Sequence, residues 1–131
     1  MPATIVLVHG AFAESASWNG VIEELHPRGY RVISVANPLR GLQPDAAYLR
    51  SVLEHLSPGP IVVAGHSYGG SVMTEAAEGV PGVHALVYIA SFNLDVGEST
   101  AAIGRCVAAI NAATSGSTSA AKTSWKRSCW M

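Results

Sequence analysis

The stretch VVAGHSYGG, residues 62–70, decides how the chain is read. An apolar run leads into Gly65-His66-Ser67-Tyr68-Gly69 and then into a segment with helical spacing. A strand that turns sharply into a helix forces its central residue into unusual backbone angles and lifts that side chain above the sheet. Glycines on either side leave out a Cβ where strand and helix crowd together. On this reading Ser67 is presented as a nucleophile, and the N–H of Tyr68 opens the helix, where it can face a developing negative charge. The plainer reading is a βα turn in which Ser67 is an ordinary N-cap.

Working outward, TIVLV (residues 4–8) is an apolar run that ends at His9-Gly10, a strand buried on both faces. Ser17 can cap a helix in which Trp18, Val21, Ile22 and Leu25 recur at helical spacing, and Pro27 and Gly29 stop it. RVISVA (31–36) reads as a second strand and NPLRGLQP as a loop. Asp45 can cap a second helix with Leu49, Val52, Leu53 and Leu56 on one face. PIVVAG (60–65) is the third strand, a helix from near Tyr68 buries Val72, Met73 and Ala76, and HALVYIA (84–90) is the fourth strand. Alternating strands and helices predict right-handed βαβ crossovers. The expected fold is a three-layer α/β sandwich with a mainly parallel sheet of about four strands. Its expected order is 2-1-3-4. The topological switch point then falls between strands one and three, and ligand crevices form beyond the strand ends there.

The loop LVHGAF (7–12) ends the first strand at that same point. Gly10 permits unusual backbone angles, and the N–H of Ala11 is placed to be a second donor beside that of Tyr68. A plain βα loop is the alternative.

The pair of motifs, LVHGAF and then GHSYGG after two βα units, resembles the α/β-hydrolase superfamily, over roughly Ile5 to Glu98. It looks like a small bacterial esterase-type member and is similar to the hydroxynitrile lyase and methylesterase branch. The resemblance implies Ser67 as nucleophile, the Ala11 and Tyr68 backbone N–H groups as oxyanion hole, and His9 as a structural part of the His-Gly motif. It implies a small ester-like substrate and neither cofactor nor metal. A lyase of the same superfamily is a variant. Family members carry a triad acid after a later strand and a histidine after the last one, and the chain has no counterpart to that half. The second expectation is therefore a truncated, non-catalytic remnant. A nucleotide-binding Rossmann domain needs Gly-x-Gly-x-x-Gly after the first strand, and HGAFAES does not supply it.

Serine needs a base to take its proton. His26 and His55 end helices and His84 begins a strand, which puts all three at the sheet edge opposite Ser67; a charge at a helix C-terminus is the plainer account of the first two. His66 adjoins Ser67 and should point elsewhere. His9 is on the correct edge, either as a substitute base or, more simply, packed beneath its loop. Asp95 is on that edge too, as an orienting acid or as a turn residue of NLDVGES, and Glu14 is expected in solvent.

The chain has 131 residues, 49% of them hydrophobic and 13% charged, and a formal net charge of −1. That suits one soluble domain and gives no electrostatic reason to expect nucleic acid or an anionic membrane as partner. No run is long and apolar enough to span a bilayer. Two late cysteines, Cys106 and Cys129, are not a disulfide framework, so the cytoplasm is the expected compartment. The expected division is an incomplete hydrolase core over 1–99 and an atypical basic tail over 100–131. After Glu98 there is no acidic residue, and both lysines, Lys122 and Lys126, fall in the tail. Residues 101–110 can form one helix, and the rest is expected to be poorly ordered. Ending after ALVYIA leaves an apolar strand edge open, which predicts self-association.

Overall fold

The computed structural model describes residues 2–91. Asp95, both cysteines and the predicted basic tail lie outside the described residues. The strands are β1 (Thr4–Val8), β2 (Arg31–Val35), β3 (Ile61–His66) and β4 (Val83–Ile89), and the α-helices are α1 (Asn19–Leu25), α2 (Leu42–Leu56) and α3 (Tyr68–Ala77). All the strands pair in parallel, in the order β2-β1-β3-β4. Val8 is in register with Val35 on one side and Gly65 on the other, so β1 and β3 end side by side at the predicted switch point.

Side chains alternate across a strand, so each apolar run feeds two cores. Val6, Val8, Ile61 and Val63 pack against Ala46, Leu49 and Leu53 of α2 and Val72, Met73 and Ala76 of α3. On the opposite face Leu7 and Ala64 lie under Trp18, with Ile5, Ile22 and Val32 around them. Helices therefore cover both faces, as the α/β reading predicts.

The first helix departs from its pattern. Trp18 is buried but belongs to a 3₁₀ turn, Ser15–Trp18, that precedes α1. The tighter winding of that turn breaks the phase of the spacing that starts at Trp18. Val21 is consequently exposed, and no residue of α1 itself is fully buried. Ser17 does not cap, because no side-chain bond forms at that helix start. Ser15 and Ser34 instead fasten the turn to β2: Ser15 Oγ donates to Val35 O (3.1 Å) and Ser34 Oγ donates to Ser15 O (2.9 Å).

Asp45 is not an N-cap either. The helix α2 starts earlier, at Leu42 after Gly41, and Pro44 fits its first turn because the N–H it lacks would have no helical partner there. Asp45 is fully buried inside that turn.

Candidate active site

Ser67 is the single residue between β3 and α3. Its φ is 51° and its ψ −121°, a region that L-residues occupy only under strain. It stands at the N-cap position of α3, yet its side chain makes no capping bond. The ordinary N-cap reading of Ser67 is therefore set aside. The backbone around it is fixed by β4 and its end. Ser67 N–H donates to Ile89 O (3.1 Å), and Ser67 O accepts from Ser91 Oγ (2.6 Å) and from Gly70 N–H (3.0 Å).

The two flanking glycines are required by close approach. A Cβ on Gly65 would sit 2.7 Å from the backbone of Gly69 and Gly70, and one on Gly69 would collide with the carbonyl oxygen of Val8. The turn is thus wedged between α3 and the end of β1.

The loop after β1 comes to the same place. A Cβ on Gly10 would lie 3.3 Å from Ser67 Cβ. Ala11 follows in an exposed turn that Ala13 N–H closes onto Gly10 O (3.3 Å). The structure therefore brings Ser67, Ala11 and the start of α3 into one neighbourhood at the C-terminal edge of the sheet. Among the described residues, neither Ala11 N–H nor Tyr68 N–H meets an acceptor.

His9 is buried and occupied at both ring nitrogens. Asn37 N–H donates to Nε2 (3.0 Å), so Nε2 must be the unprotonated nitrogen. Nδ1 then carries the proton and donates to Gly10 O (2.8 Å). Asn37 Nδ2 also donates to His9 O (3.1 Å). His9 consequently has no nitrogen left for Ser67, and its packing role beneath the loop is the one the geometry favours. His66 packs edge-on against Trp18, with ring centroids 6.5 Å apart at 89°, on the face toward the 3₁₀ turn. His26 lies in a short turn after α1, His55 in the last turn of α2 and His84 near the start of β4, all remote from the strand ends that carry Ser67. Glu14 is exposed, as expected.

Sequence reasoning missed Asn37 and mistook Asp45. Asp45 Oδ1 accepts from Arg40 N–H (2.9 Å) and Oδ2 from the Tyr68 hydroxyl (2.7 Å). Burial, reinforced by the hydrogen bond and the charge of Asp45, pushes the Tyr68 phenol well above its ordinary pKa. Asn37 carried a usable signal, since it comes two residues after the end of β2 and so falls on the same sheet edge as His9.

Among the described residues there is no group of three or more metal-ligating side chains, and no helix is long and apolar enough to cross a membrane. A groove of about 200 Å³ between α2 and α3, lined by Gln43, Ala46, Ala47, Arg50 and Glu75, includes none of the candidate site residues.

Residues 5–128 match the model of the alpha/beta hydrolase family. The chain is 26% identical over 113 residues to an alpha/beta hydrolase of Aspergillus novofumigatus, covering 72% of this chain and 45% of that protein. It is 29% identical over 113 residues to a carbendazim hydrolyzing esterase of a Nocardioides species, covering 77% of this chain and 47% of that protein. The chain thus spans about half the length of each. An extracellular alpha/beta-hydrolase from a Paenibacillus species superposes with a TM-score of 0.64 at 18% identity, over 97% of this chain and 66% of that one.

Proposed function

The chain belongs to the alpha/beta hydrolase family, and from that premise we propose that it carries the nucleophile half of a serine esterase site. Ser67 Oγ attacks the carbonyl carbon of a small carboxylic ester. The oxygen that becomes negative is met by the Ala11 and Tyr68 backbone N–H groups, preorganised donors of the kind that stabilise tetrahedral intermediates. The alcohol leaves with a proton, and water then releases the acyl group from Ser67.

The observation that carries this reading is the backbone of Ser67. A non-glycine residue is held at φ 51°, ψ −121° without capping its helix. Such strain persists only where the surroundings impose it, and it collects at functional positions. The esterase among the relatives supports the ester class.

A second reading, a non-catalytic core, is favoured by the histidines. All five in the chain lie within the described residues, and none of them is hydrogen-bonded to Ser67. The two readings share the nucleophile turn and differ in turnover.

The test is a fluorophosphonate probe with mass spectrometry, run beside p-nitrophenyl acetate hydrolysis. A slow adduct on Ser67, lost in Ser67→Ala, supports the nucleophile. A folded protein that forms no adduct there overturns it. Turnover of many per second, abolished by Ser67→Ala, would set aside the non-catalytic reading.

A further inference from the structure

The loop after β2, from Asn37 to Gly41, is tied to both sides of the candidate site. At its start, Asn37 grips His9 through the ring and the main chain, at 3.0 and 3.1 Å, directly beside the loop that carries Ala11. Near its end, Arg40 N–H donates to Asp45 Oδ1, and Asp45 Oδ2 accepts from Tyr68, the residue that carries the other backbone donor. The path Gly10–His9–Asn37–loop–Arg40–Asp45–Tyr68 thus runs from one donor to the other around the outside of the turn.

Asp45 is the costly member of this path. It is fully buried, and neither of the ion pairs among the described residues, Arg28–Glu24 and Arg50–Glu54, involves it. Removing a carboxyl group from water without a cation is unfavourable unless both oxygens find donors. Here both do, one from the loop and one from the residue next to Ser67. An apolar residue at this position would pack against α3 without that cost, so packing of α2 alone does not explain Asp45.

We propose that Asp45 is a positioning residue that, through the loop after β2, sets the spacing between the Ala11 and Tyr68 backbone donors. The inference rests on the proposed oxyanion role of those two groups. Loops are ordinarily the mobile part of a sheet edge. A hydrogen bond at each end makes this one a brace between two neighbouring loops, so that a carbonyl oxygen meets two donors at fixed separation. Preorganisation of this kind is what gives such donors their effect.

The test uses ¹⁵N-labelled full-length chain. Tyr68→Phe keeps the ring and cuts the link to Asp45. Asp45→Asn keeps an acceptor for Arg40 N–H and a polar partner for the phenol. In Tyr68→Phe the amide signals of Gly10 and Ala11, on the far side of the site, are expected to shift, and their hydrogen exchange to quicken about tenfold. In Asp45→Asn they should stay near the wild type. Perturbation that stops at α2 and α3, with Gly10 and Ala11 unmoved, overturns the proposal, even if thermal stability falls. Phosphonate labelling of Ser67 is read in parallel and should slow about tenfold in Tyr68→Phe. A wild type that takes no phosphonate, yet transmits the amide change to Ala11, sinks the nucleophile reading and leaves the brace standing.

Discussion

Gly10 and Ser67 approach so closely that a Cβ on the glycine would lie 3.3 Å from that of the serine and 3.2 Å from His66 Nδ1. A methyl group fits there only if its neighbours give by a few tenths of an ångström. Gly10→Ala should therefore fold, at a cost of about 1 kcal/mol. Gly10→Val, with two further carbons, should fold less stably and slow phosphonate labelling of Ser67 by about tenfold or more. Urea titration and labelling rates measured on the same samples check both, and unchanged labelling in Gly10→Val would count against this contact.

Ser67→Gly should stabilise the protein. Strain of this kind costs about 1–3 kcal/mol, and the extra freedom of an unfolded glycine costs about 0.5–1 kcal/mol, so the net gain is about 1 kcal/mol. The midpoint of urea unfolding should rise while phosphonate labelling disappears. A lowered midpoint would mean that the serine side chain contributes more than its backbone costs.

Hydrolysis of p-nitrophenyl acetate should be slow, since no histidine is hydrogen-bonded to Ser67. In serine proteases, removal of one triad member leaves about 10³ to 10⁴-fold catalysis over water, and this chain should not exceed that. Without a base to activate the Ser67 hydroxyl, solvent hydroxide should outrun it on this activated ester, so Ser67→Ala should change the rate little while still abolishing phosphonate labelling. The logarithm of the rate should climb by about one per pH unit through the neutral range, as attack by hydroxide does. A plateau instead would reveal an imidazole acting as base.

Tyr68 should ionise late, because burial and the Asp45 contact raise its pKa. A phenol with its pKa raised in the folded state contributes stability that is complete below its unfolded value of 10.0 and is lost as pH rises toward the folded value. Titration at 295 nm should therefore show a late step that coincides with alkaline unfolding. In Tyr68→Phe that step should be absent, and stability should fall less steeply above pH 10. A Tyr68 that ionises with no upward shift would contradict the Asp45 contact.

Self-association should follow from β4. Among the described residues it pairs with β3 on one side only, and Val87 and Ile89 are exposed, at 43% and 40%. Open apolar edges invite pairing with another chain. Light scattering should show mass rising with concentration, and Val87→Lys should reduce it. A clean monomer throughout would refute this.

The strands were legible because burial on both faces leaves continuous apolar runs, as in Thr4–Val8 and Ile61–His66. The helix α3 was legible for a related reason: its buried Val72, Met73 and Ala76 follow a glycine pair that only close packing demands. What escaped depended on partners far along the chain. Asp45 resembles a cap when only its neighbours are considered, but its second oxygen is used by Tyr68, 23 residues later. Asn37 has a polar side chain in a Pro-containing loop, and its meaning comes from His9, 28 residues earlier. The spacing around Trp18 misled because helical periodicity assumes one helix, and a 3₁₀ turn interrupts it.

The parallel pairing of the sheet also sets a schedule for synthesis. Thr4 can pair with Arg31 early, but its other neighbour is Ile61, and Val8 waits for Gly65. Ribosomes extend a chain at about 5–20 residues per second. For several seconds, then, the nascent chain holds β1 with one bare edge while the residues that will close it have yet to be made. Of the four described strands, β1 is the first to emerge yet is enclosed only when β3 has been made, so chaperones that shield apolar strands have a long opportunity there.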